Sequence, residues 1–154
     1  MITSLLFDVD NTLLDNSMGR FLPAYFGLLS RHFADHLPVE KVGEVLLAGT
    51  QAMMQNTDPR RTLREVFDGV FFSALSLDPV IARGAADRFY AEHFPTLRSI
   101  TGHRPAARRI MEWATARGLK IGICSQPMFP RTAIAQRLGW AGVPDSEFHY
   151  ALLR

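Results

Sequence analysis

The chain has 154 residues, and 17 basic against 15 acidic side chains leave a formal charge of +2. Hydrophobic residues make up 47% and charged residues 21%, a balance that excludes a disordered chain. It allows one domain, or one domain with an insertion, whose core needs no disulfide or metal to hold it.

The chain opens on Met1 to Val9, which has no basic stretch and whose apolar run is interrupted by Asp8, so it does not read as a signal peptide. Ile2 to Val9 reads instead as a strand, with Leu5, Leu6 and Phe7 as the short apolar run of a strand buried on both faces of a parallel sheet. The polar cluster Asp10-Asn11-Thr12 turns the chain. From about Ser17 to Phe94 the spacing is helical. Phe21, Leu22, Tyr25, Phe26, Leu29 and Phe33 recur at i, i+3/i+4, and Pro38 opens a second run with Val42, Val45 and Leu46. Asp58-Pro59 and Asp78-Pro79 each read as an N-cap followed by proline at the first helical position. Leu63, Val66, Phe67, Val70 and Phe71 follow the first; Ile81, Ala85, Phe89 and Tyr90 follow the second. The aromatic and methionine content of this block, including Met53, Met54, Phe71 and Phe72, is expected to pack helix against helix.

After Pro95 the pattern changes again. Arg98 to Gly102 reads as a hinge, Pro105 opens a helix that Gly118 stops, and Leu119 to Cys124 is an apolar strand. A loop from Ser125 to Pro130 leads to a helix over Arg131 to Leu138, ended by Gly139 and Gly142, and Phe148 to Leu152 begins a third strand. The order strand, helical block, helix, strand, helix, strand implies a Rossmann-like α/β fold with a parallel sheet and an all-helical insertion in its first crossover. The core is expected over 1–14 and 99–154, and the inserted helical cap over 15–98.

Partners are bounded by what the sequence lacks. No run of 18 apolar residues occurs, so no membrane partner is expected. Lys41 and Lys120 are the only lysines, and the arginines are scattered rather than gathered on one stripe with aromatics, so nucleic acid is not expected either. The single cysteine, Cys124, excludes an intramolecular disulfide and points to a reducing, cytoplasmic setting. In its strand it reads as a small buried hydrophobe. His32 and His36 stand at i, i+4 but without an adjacent acid set, so no zinc site is expected.

Two places carry chemistry. Asp8 and Asp10 stand at i and i+2 where the first strand ends, and ligands of open parallel sheets bind at the carboxyl ends of strands. Alternation sends both side chains to one side, where one carboxylate serves as nucleophile or metal ligand and the other as general acid/base; a pair of turn aspartates is the bland alternative. Ser125 follows the second strand, 117 positions after Asp8, at the same sheet edge, where a hydroxyl donates to a bound anion.

These features resemble the haloacid dehalogenase-like (HAD) hydrolase superfamily. Asp8 to Leu13, DVDNTL, is similar to that superfamily's first motif; the helical block resembles its cap; and Ile123 to Pro130, ICSQPMFP, resembles the second motif of a subgroup, with serine and glutamine where threonine and asparagine are usual. The resemblance implies a phosphatase acting on a small phosphorylated metabolite. Asp8 would form an aspartyl-phosphate and Asp10 would protonate the leaving group and then activate water. Ser125, Gln126 and Thr12 would bind the substrate, and Mg²⁺ would sit on the Asp8 carboxylate and the Asp10 main-chain carbonyl. Halide displacement leaves Asp10 without a task, since a halide needs no proton; a phosphomutase stays open.

The superfamily also uses a later lysine and later acids, whereas this chain has no lysine after Ser125 and only Asp145 and Glu147 as acids there. Neither Lys41 nor Lys120 stands at the matching position. The chain is therefore expected to be a fragment, its core incomplete at the C-terminus, with weak or no activity alone. A non-catalytic remnant that self-associates through an exposed sheet edge, or binds a partner, is the alternative.

Overall fold

A computed structural model describes residues 2–125 and 129–153. The fold is mixed α/β, and the chain divides into two compact units, residues 1–21 with 96–154, and residues 22–95. Among the described residues no helix is long and apolar enough to cross a membrane.

The first unit is built on a three-stranded parallel sheet of β1 (Ser4–Phe7), β4 (Lys120–Cys124) and β5 (Tyr150–Leu153), in the order β1-β4-β5. The register pairs Phe7 with Ile123 on one side of β4 and Ile123 with Leu152 on the other. As the central strand, β4 buries Ile121, Gly122 and Ile123. They meet Ala107, Met111 and Ala114 from α5 (Pro105–Ala116) and Ile134 and Leu138 from α6 (Arg131–Trp140) in one core with Val9, Leu13 and Phe148.

The expected strand over Ile2 to Val9, buried on both faces, is corrected. β1 is four residues long and only half-buried: Leu5 and Phe7 pack on the core, while Leu6 is 65% exposed and Ile2 is exposed too. β1 pairs on one side only among the described residues, and its second face is uncovered. The expected hinge also acquires structure. Phe94–Ile100 is a 3₁₀ helix, and Gly102–His103 (β3) pairs antiparallel with Leu14–Asp15 (β2), braced where Arg104 Nη2 donates to Asp15 Oδ1 at 3.2 Å.

Both helices of this unit end as their glycines require. Gly118 (φ +65°) donates to Thr115 O while Leu119 donates to Ala114 O, and Gly142 (φ +77°) donates to Gly139 O while Val143 donates to Leu138 O. Each is a Schellman closure, which needs a left-handed residue just past the helix. Gly139 lies inside α6, so Gly142 alone ends it.

The second unit begins within α1 (Met18–His32), which is followed by α2 (Val39–Gln55), α3 (Leu63–Leu75) and α4 (Pro79–Arg88), and a π-helical turn over Phe89–His93 continues α4. Asp78 caps α4 by accepting from Val80 N at 2.8 Å, with Pro79 at the first position. The expected cap at Asp58-Pro59 is corrected. Asp58 accepts from Arg60 in a turn, and α3 begins four residues later than that cap implies, behind Thr62, whose side chain and Glu65 satisfy each other's main-chain N–H groups. Phe33, Phe71 and Phe72 are buried between helices, with Phe33 edge-on to Phe71 at 5.3 Å. Met53 is buried, but Met54 and Ile81, expected in the packing, face solvent.

Candidate active site

The turn after β1 is wound around one carbonyl. Val9 O accepts from the N–H groups of Thr12, Leu13 and Leu14 at 3.3, 3.0 and 2.9 Å, and Asn11 takes a left-handed conformation (φ +59°) to permit it. Val9, Leu13 and Leu14 are thereby buried and anchor the turn, which leaves Asp8 and Thr12 at the surface. Thr12 Oγ1 donates to Asp8 Oδ2 at 3.3 Å.

Asp10 has a different environment. Its Oδ2 accepts from Arg137 Nη1 at 2.6 Å and its Oδ1 from Asn16 Nδ2 at 2.8 Å. The Arg137 side chain is 0% exposed and that of Asp10 17%. The guanidinium carbon lies 4.4 Å from the centroid of Phe129 and 5.9 Å from that of Phe21, which are themselves edge-on at 6.0 Å. Stacking on aromatic faces suits a weakly hydrated planar cation. Asn16 is buried as well, and its Oδ1 has no hydrogen-bond partner.

Ser125 stands one residue past β4 and is half-buried. With Phe7 opposite Ile123, the parallel register brings Asp8 and Ser125 out at the same end of adjacent strands, which lie about 4.8 Å apart in a sheet. The two carboxylates take separate partners, Asp8 with Thr12 and Asp10 with Arg137 and Asn16. Gln126 lies outside the described residues. Cys124, read from the sequence as buried, is exposed at the same edge, because β4 leaves the core there. Glu147 accepts from Arg108 Nη2 at 2.6 Å, an attachment to α5.

Arg137 and Asn16 were not among the residues picked out by motif. For Arg137 the signal was present in the spacing, since it occupies the row Ala133, Ile134, Leu138, Ala141 that forms the buried face of α6. A charged residue on an apolar helical face calls for a buried partner.

Among the described residues no group of three or more His, Cys, Asp or Glu gathers around a common point. The donors at the turn nevertheless suit Mg²⁺. An exposed Asp8 carboxylate and a main-chain carbonyl are hard oxygen ligands, and that ion keeps several waters rather than demanding a full protein cage. The Asp10 side chain is already committed to Arg137 and Asn16, so its contribution would come from the main chain. No family model matches the chain, and neither does any curated protein or solved structure.

Proposed function

We propose that the chain is a HAD-like hydrolase of the phosphatase type, with a Rossmann-like core and an inserted helical cap, acting on a small phosphorylated metabolite. One observation carries the reading: a surface carboxylate, Asp8, and a hydroxyl, Ser125, emerge at the same carboxyl edge of two adjacent parallel strands. Ligands of such sheets bind at that edge. Asp8 attacks phosphorus, the bond from phosphorus to the leaving oxygen breaks, and Asp10 supplies the proton that oxygen takes. Water then attacks the aspartyl-phosphate, Asp10 takes a proton from it, and the Asp8 carboxylate is restored with release of phosphate. Ser125 and Thr12 donate to the phosphoryl oxygens, and Gln126, outside the described residues, is proposed as a further substrate ligand from the sequence alone. Mg²⁺ held by Asp8 and the Asp10 carbonyl supplies, when bound, the charge neutralisation that lets a carboxylate approach a phosphate dianion. Steady-state turnover of the 154-residue chain is expected to be weak, because it has no lysine after Ser125 to share that task.

The test is a single-turnover reaction of excess protein with p-nitrophenyl phosphate and Mg²⁺, quenched with borohydride. An acyl phosphate at Asp8 is reduced to homoserine and found by peptide mass. The adduct is expected in the native chain and absent from Asp8→Asn. Adduct-free protein, or p-nitrophenol release equal in Asp8→Asn, refutes the reading.

A second reading follows from the exposed Leu6 on β1, an edge strand among the described residues, and from the exposed Ile2 ahead of it: β1 pairs with β1 of a second copy. Sedimentation velocity would show a dimer that Leu6→Lys dissociates, and a monomer at all concentrations rejects it.

A further inference from the structure

Asp10 has a short side chain on a tight turn, and nothing in its own turn fixes its two torsions. Two donors from outside do so. Asn16 holds Oδ1 at 2.8 Å and Arg137 holds Oδ2 at 2.6 Å. Arg137 is itself immobilised, fully buried on α6 and laid on the ring of Phe129, which belongs to the loop that also carries Ser125. A single guanidinium thus connects the turn of Asp8 and Asp10 with the loop and helix that follow β4. An ion pair with one member fully buried and the other mostly so is a poor source of net stability against an apolar replacement, which points to a task of orientation. Proton transfer demands such orientation, because the carboxyl must lie within hydrogen-bond reach of the reacting oxygen.

We propose that Arg137 is a positioning residue that acts through Asp10, aiming its carboxyl at the leaving oxygen and at the attacking water. The inference rests on the aspartyl-phosphate reading and deepens it. It requires loss of Arg137 to harm the steps that Asp10 serves more than the step that Asp8 serves. A matched pair of substrates separates these. p-Nitrophenolate leaves as a stable anion, whereas p-nitrobenzyl alcohol needs a proton, and the two esters differ by one methylene.

Adduct formation at Asp8 is followed for both esters in the native chain, Arg137→Met and Arg137→Lys. With Arg137→Met, the p-nitrobenzyl ester is expected to lose at least about 10-fold more rate than the p-nitrophenyl ester, out of the 10²–10⁴-fold a general acid supplies. The preformed adduct should also hydrolyse more slowly by a similar factor. Arg137→Lys, which keeps the charge without the fork, falls between. Where Arg137→Met does not fold, Phe129→Leu removes the ring beneath the guanidinium, and the same change in ratio is expected. Equal slowing of both esters marks a merely structural residue and overturns the inference while the aspartyl-phosphate stands. No adduct from either ester in the native chain overturns the underlying reading and this one with it.

Discussion

Replacing Asp10 by asparagine removes one charge and almost no volume, yet the geometry makes it the more damaging half of the Asp10–Arg137 pair. The guanidinium left behind is 0% exposed, while the carboxylate left by Arg137→Met is 17% exposed and keeps its bond from Asn16. Stripping the partner from a buried charge costs about 3–5 kcal/mol, whereas losing one hydrogen bond to a charged group that can still reach water costs about 1.5–3 kcal/mol. Asp10→Asn is therefore expected to cost more than Arg137→Met. Urea unfolding followed by tryptophan fluorescence reads this cleanly, because both tryptophans, Trp113 and Trp140, lie in the α/β unit. At a slope of about 1–3 kcal/mol per molar, Asp10→Asn lowers the midpoint by roughly 1–5 M. The double variant should cost less than the sum of the singles, since each change relieves the charge the other strands. An unchanged or raised midpoint for Asp10→Asn, or a larger loss for Arg137→Met, refutes the argument.

The two helix-ending glycines should differ in a defined order. Gly118→Ala meets open space and pays only for a left-handed backbone, about 1–2 kcal/mol; Gly142→Ala pays that and sets a methyl 3.0 Å from His103 Nε2, so its midpoint in the same urea assay must fall further. In the helical unit, burial holds the His32 imidazole below its ordinary 6.5, with His93 and Arg88 pushing the same way and the bond to Ala85 O and the charge of Glu92 opposing. A lowered folded value means that protonation favours the unfolded chain. That stability is intact above about pH 6.5, falls as the pH drops below it, and should fall less in His32→Gln; identical pH profiles of the thermal midpoint reject the linkage. Cys124 should react with a thiol-specific disulfide reagent in the native chain as fast as after unfolding, and protection by folding would contradict its exposed position.

What the sequence made legible was whatever a local rule could carry alone. β4 was read within one residue, Pro105 and Gly118 bound α5, and Asp78-Pro79 starts α4 as spaced. Asp58-Pro59 failed because a second signal competed four residues on: Thr62 and Glu65 satisfy two main-chain donors at once, and Asp58 is spent on Arg60. β2 and β3 hold two residues each, too few to show a period. The exposure of Leu6 and Cys124 depends on where β1 and β4 sit in the sheet, which alternation along one strand does not contain. Asp8, Asp10, Thr12 and Ser125 were singled out by motif and strand position, whereas Arg137 lies 127 positions from Asp10 and belongs to no motif.

The π turn at the end of α4 has a consequence for chain length. At 100° per residue, positions five apart on an α-helix point about 140° away from each other. Phe89 and Phe94 are five apart, yet both are fully buried and both stand edge-on to Tyr25, at 5.8 and 6.1 Å. The wider turn, closed by Phe94 N donating to Phe89 O, winds the later ring back over the earlier one. Between them Tyr90 reaches the Tyr25 hydroxyl at 2.8 Å. This aromatic cluster thus depends on a phase set by one surplus residue. An ordinary α pitch over the same residues would swing Phe94 out of the cluster with every ring unchanged, whereas deleting Ala91 as well would leave the two rings four apart and about 40° from each other, so in this segment spacing is as much a part of the code as composition.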